Sequence, residues 1–104
     1  MVGNMIALVS QSRLARRLAE VGECLKRLRE DLAVTEEQCL HFDELAEDAR
    51  IRALVSETPF AEHQHREAAC HAQSMARHKA RLREDIQNLE AQQDLLLDKY
   101  SSDA

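Results

Sequence analysis

The sequence predicts an all-α fold in which two long helices form an antiparallel coiled-coil hairpin. Two observations predict it: apolar residues recur every three or four positions along most of the chain, and the single proline, Pro59, lies between two such series of equal length. The composition agrees, because 32% of the 104 residues are charged and only two are glycine, which is typical of long helices. We therefore expect one helical-hairpin domain over 1–104.

The first helix is predicted over about residues 13–56, after a short apolar segment at 1–12. Steps of four and three from Leu14 reach Ala53 through positions that are apolar or cysteine, with Thr35 as the one polar exception. A repeat sustained for more than five heptads predicts a coiled-coil seam. This first series is Leu14, Leu18, Val21, Leu25, Leu28, Leu32, Thr35, Cys39, Phe42, Ala46, Ala49 and Ala53.

The second helix is predicted over about residues 59–100 by a second series with the same steps. Its polar members, His65, Lys79 and Gln93, weaken the pattern, so this helix needs the first one as its partner. The second series is Ala61, His65, Ala68, Ala72, Met75, Lys79, Leu82, Ile86, Leu89, Gln93, Leu96 and Tyr100.

A reversal near residue 57 pairs the two series layer by layer, so that Leu28 faces Ile86, Leu32 faces Leu82 and Phe42 faces the small Ala72. We expect Leu28 and Ile86 at the centre of the best-packed region, because large side chains face one another there. Charge favours the same pairing, because the basic start of helix one then lies beside an acidic stretch of helix two, and the acidic second half of helix one lies beside basic residues. Opposed charge blocks favour the antiparallel partner over the parallel one.

The turn is predicted at about residues 56–59. Thr58 followed by Pro59 has the pattern of an N-cap and first helical residue, because the fixed φ of proline and its missing N–H suit that position. Proline also disfavours helical geometry at Thr58, which ends helix one just before it.

Apolar residues outside the seam are concentrated near this turn, at residues 40–63. Contiguous exposed apolar area tends to mark an interface, although part of it could simply close the end of the hairpin. We predict a partner-binding surface with apolar and acidic members, which we call the tip surface. Its residues are Leu40, Leu45, Ile51, Leu54, Val55, Glu57, Phe60 and Glu62.

A second group of apolar residues lies at the opposite end, outside the phase of the seam. Met5, Ile6, Leu8 and Val9 precede Leu14. Since two helices provide little core for their surface, oligomerisation is a usual remedy. We expect a homodimer that forms a four-helix assembly.

Motifs for catalysis or cofactor binding are not found, so we predict a protein that is not an enzyme and has no cofactor. The sequence holds no Gly-rich phosphate loop, GxSxG, HExxH or CxxC. The weak metal-binding candidates are His63, Glu67 and His71, which recur every four residues and so share one helical face. A His-based metal-binding protein is therefore one alternative function, and our main prediction is that no metal binds.

Charge, cysteines and the N-terminus limit the environment and the partners. The net charge of −5 argues against nucleic acid or an anionic membrane as the partner. Three widely spaced cysteines favour a reducing cytoplasm over a disulfide framework, and the N-terminus lacks the charge order of a secretory signal. We expect a cytoplasmic interaction or assembly module that binds another protein. The alternative is a regulator that inserts its tip into a larger machine, such as a transcription or export complex.

Overall fold

The chain forms two long helices joined by a two-residue turn. The computed structural model describes the backbone of residues 2–103 and the side chains of residues 3–102. Helix α1 comprises Val2–Ser56 and helix α2 comprises Pro59–Asp103, and the described residues contain no strand. The prediction of an all-α helical hairpin is confirmed.

Helix α1 begins at Val2 and not near residue 13, where the seam begins. The segment before the seam is rich in good helix formers, including Met5, Ala7 and Leu8, and its Gly3 lowers helix propensity without ending a helix. The backbone hydrogen bonds of a helix need no partner helix, so the helix extends past the seam. For the same reason α2 continues to Asp103, beyond the predicted end near residue 100.

The turn has the capping arrangement that the sequence predicts. The Thr58 Oγ1 accepts a hydrogen bond from the Ala61 N–H at 3.2 Å, and the Thr58 carbonyl accepts one from the Glu62 N–H at 3.1 Å. Thr58 is therefore the N-cap of α2 and Pro59 its first residue. On the other side, the Glu57 N–H donates to the Ala53 carbonyl at 3.0 Å and closes the last turn of α1.

Glu57 has a φ of 51°, in the left-handed region that usually holds glycine after a helix. A side chain in that conformation costs on the order of 1 kcal/mol, which glycine avoids. We therefore expect Glu57→Gly to raise the free energy of unfolding by roughly 0.5–1 kcal/mol. Thermal and urea unfolding followed by circular dichroism would measure the change. Glu57→Ala is the control, because alanine keeps the unfavourable φ. Equal stability of the two variants would mean that the backbone at this position is not strained.

The helices form two compact units. The first unit comprises Met1–Glu30 and Glu84–Ala104, so it pairs the start of α1 with the end of α2. Its core consists of Val21 and Leu25, which are almost fully buried, and Ile86. The Arg29 guanidinium lies 3.7 Å from the Glu90 carboxylate across the two helices. The seam residues of this unit are buried or half-buried, apart from Tyr100.

The second unit, Asp31–Arg83, contains the turn and the helix segments that flank it. Its core is made of smaller side chains, and Arg83 lies 3.4 Å from Glu36 across the helices. The seam residues of this unit are all buried or half-buried. The most buried ones are Thr35, Cys39, Ala49, Ala61 and Leu82. The antiparallel pairing holds within each unit, and the expectation of one domain over 1–104 stays a prediction.

Candidate protein-interaction surface

The apolar members of the tip surface are exposed. Their exposed fractions range from 40% at Leu45 to 80% at Val55, with Leu54 and Phe60 both above 60%. Glu57 and Glu62 are exposed beside them. None of these side chains closes the end of the hairpin by burial, so the second unit leaves a large apolar area in contact with water.

The helical repeat explains why these side chains are exposed. Ile51, Leu54 and Val55 hold the heptad positions that lie farthest from the seam at Ala49 and Ala53. Leu40 occupies the same repeat position as Leu54, fourteen residues earlier. The exposure of these four residues is therefore a consequence of sequence phase on α1, because a residue at these positions cannot reach α2.

A groove runs between the two helices of the second unit. Its lining is mainly apolar, and the seam here explains it, because alanines meet where larger side chains would fill the space. Phe42 lies at one side of the groove, and its ring stacks on the ring of His71 with centroids 6.1 Å apart. The lining residues are Phe42, Leu45, Ala49, Arg52, Gln64, Glu67, Ala68 and His71.

The α1 part of the second unit is strongly acidic. Between residues 31 and 49 it has seven Asp or Glu residues and no Lys or Arg. Arg50 donates two hydrogen bonds to Glu47, at 2.6 and 2.9 Å, and these bonds lower the pKa of the Glu47 carboxyl. Because a lowered pKa favours the ionised form, this contact is present near neutral pH and is lost as the pH falls through that lowered pKa.

The three metal-binding candidates are not brought together as a site. The His63 Nε2 lies 3.5 Å from the Glu67 carboxylate, whereas the ring of His71 stacks on Phe42. Among the described side chains, no three His, Cys, Asp or Glu residues are close enough to hold a metal ion.

A second exposed apolar surface lies in the first unit, on the N-terminal part of α1. Met5, Ile6, Leu8 and Val9 are all more than half exposed. A shallow groove follows Met5, Ile6 and Val9 as far as Arg13. Leu95 and Leu97 are also exposed, on α2. We call the four α1 residues the N-terminal surface.

Sequence reasoning identified both surfaces but missed the groove and the exposed Val34. Val34 lies next to the seam residue Thr35, and it does not belong to a cluster of apolar residues outside the seam. The groove could have been found from the runs of alanine in both seam series, because small residues that face one another leave space.

Comparison with known proteins gives no assignment. No protein-family model matches the chain, and neither a curated protein nor a solved structure is significantly similar to it. Neither helix, over its described residues, contains a stretch that is long and apolar enough to cross a membrane.

Proposed function

We propose that this chain is a non-enzymatic protein-interaction or assembly module whose main contact surface lies at residues 40–63. The exposure of the tip surface supports this proposal most directly. Full burial of one large apolar side chain that was in contact with water stabilises a complex by about 1.5–3 kcal/mol. Contiguous areas of this kind mark interaction sites in soluble proteins.

The small core of the second unit points in the same direction. Its buried apolar residues are Cys39, Ala49, Ala61 and Leu82, of which only leucine has a large side chain. The unit therefore exposes larger apolar groups than it buries. A partner that covers the tip surface would supply the apolar contacts that this seam lacks.

We propose that the chain self-associates as a homodimer of four helices. Two helices provide one seam, and a second copy is a usual source of further apolar burial. The described cysteines are free thiols, which supports the cytoplasm as the proposed location.

Replacement of Leu54 and Phe60 by serine tests the contact surface. Both side chains are more than 60% exposed, so the double variant should keep its helix content while association weakens by at least tenfold. Circular dichroism measures the helix content, and sedimentation measures association. The control is Leu95→Ser with Leu97→Ser, which removes two exposed leucines of α2 and should leave association unchanged.

If the folded double variant associates as tightly as the unaltered chain, the proposed contact surface is wrong.

The exposed Phe60 between the acidic Glu57 and Glu62 favours a second candidate function, a regulator that inserts its tip into a larger machine. In that case the unaltered chain stays monomeric, and an affinity pull-down recovers another protein that the double variant loses.

A further inference from the structure

The N-terminal surface and part of the tip surface hold the same positions of the heptad on α1. Val9 and Ile51 are 42 residues apart, which is six heptads, and Met5 and Leu54 are 49 apart, which is seven. Ile6 and Val55 are also 49 residues apart. All six side chains are exposed, because these positions lie farthest from the seam. Helix α1 therefore carries two exposed apolar clusters with one common phase.

We propose that α1 pairs with α1 of a second copy in antiparallel orientation, so that the N-terminal surface of each copy covers Ile51, Leu54 and Val55 of the tip surface of the other. In this alignment Val9 lies opposite Ile51 of the second copy, and Ile6 lies opposite its Leu54. Met5 then lies opposite its Val55. This proposal rests on the proposed function and identifies the partner of the tip surface as a second copy of the chain.

The charges next to the clusters select the antiparallel orientation. The same alignment places Arg16 opposite Glu44 of the second copy and Arg13 opposite its Glu47. Arg16 and Glu44 are exposed, and neither makes an ion pair with another described residue. A parallel pairing would place Arg16 beside Arg16 and Glu44 beside Glu44, and like charges in contact disfavour a complex.

The apolar clusters also select the register. A shift of one heptad in either direction places Val9 opposite Glu44 or opposite Thr58, so the match with Ile51 is lost. A dimer with twofold symmetry contains each contact twice, so each of these three apolar contacts forms in both halves. The exposed clusters repeat with the heptad on the face of α1 opposite the seam, and this repeat provides the regular spacing that two long helices need to remain in contact.

The middle of the pairing is weaker than its ends. Glu23 lies opposite Glu37 of the second copy, and the two Glu30 side chains meet near the symmetry axis. Ala19 and Ala33 are small residues on the same face and allow the helices to approach. The alignment therefore assigns the attraction to the two ends, where the exposed apolar clusters and the opposite charges lie.

Disulfide cross-linking between two different single-cysteine chains tests the pairing. Both chains carry Cys24→Ser, Cys39→Ala and Cys70→Ser; one adds Val9→Cys and the other Ile51→Cys. Refolded together from urea and oxidised, the mixture should give a cross-linked dimer, because opposed positions meet the distance that a disulfide needs. Each chain alone should stay uncross-linked, since the two copies of residue 9, or of residue 51, lie at opposite ends of the dimer.

Leu95→Cys in the same background, mixed with the Val9→Cys chain, is the matched control and should give no cross-link. Cross-linking of the Val9→Cys chain alone would overturn the antiparallel pairing. Absence of a cross-link in the mixture would also overturn it. If Leu54→Ser with Phe60→Ser still abolishes association in that case, the tip surface remains the contact and only the assignment of its partner fails.

A charge exchange gives a second test that leaves the native cysteines in place. Arg16→Glu and Glu44→Arg each place like charges together twice in a dimer, and each should weaken association by about three- to tenfold. An equimolar mixture of the two variants restores opposite charges at both contacts, so its association should return to that of the unaltered chain. A mixture that associates no better than the separate variants would overturn the pairing.

Discussion

Leu25→Ala is expected to lower the free energy of unfolding by about 3–4 kcal/mol, within the range for a buried leucine that leaves a cavity. Leu25 is the largest side chain that is almost fully buried, with 1% of its surface accessible to solvent. Few neighbouring groups can move into the space, because the core of the first unit is one seam of side chains between two helices. Urea unfolding followed by circular dichroism would measure the loss.

The matched control is Leu95→Ala, the same substitution at a leucine of the first unit that is 64% exposed. It removes the same atoms without a buried cavity, so we expect a change under about 0.5 kcal/mol. Similar losses for the two variants would mean that burial in the seam does not stabilise the first unit.

The position of the most buried layer differs from the prediction by one step of the seam. The sequence places Leu28 and Ile86 at the centre of the best-packed region, whereas the structure buries Val21 and Leu25 most deeply. Leu28 is half-buried, because a groove beside it also exposes Leu89. Heptad phase predicts which side of a helix is covered, but the depth of burial depends on how fully the neighbouring side chains fill the space.

The backbone of the hairpin follows from local chemistry. The spacing of apolar residues predicts the seam, and the pair of Thr58 and Pro59 predicts the cap of α2 that the structure contains. The positive φ of Glu57 has no such signal, because glutamate is not a residue that favours the left-handed region. The tight connection between two helices requires that conformation, whichever residue occupies the position.

The exposure of Leu40, Ile51, Leu54 and Val55 was predictable for the same reason as the seam, since an apolar residue at these positions cannot reach α2. The stacking of Phe42 on His71 was not predictable, because it depends on side-chain conformation. The second series predicts Ala72 opposite Phe42, and the ring of Phe42 also stacks on the adjacent His71. An aromatic ring beside small residues is free to turn toward the nearest flat group.

The reactivity of the three thiols is expected to differ widely, because their accessibility differs. Cys70 is exposed, Cys24 is half-buried and Cys39 is buried in the seam of the second unit. A thiol reagent should modify Cys70 directly, whereas Cys39 should react only when the helices around it separate. We expect Cys39 to react at least about 100-fold more slowly than Cys70, which corresponds to about 2.7 kcal/mol for that opening. Mass spectrometry of the quenched reaction gives the rate at each site.

Measurement of the same rates in denaturant provides the control, since all three thiols should then react at similar rates. Under native conditions, a Cys39 rate close to that of Cys70 would mean that the alanines and Thr35 do not keep the helices together in this part of the seam.

The dependence of the Cys39 rate on protein concentration tests the proposed association separately. If a second copy covers the tip surface, dilution below the dissociation constant removes apolar contacts from the second unit. The Cys39 rate should then rise on dilution, while the rate of the exposed Cys70 stays constant.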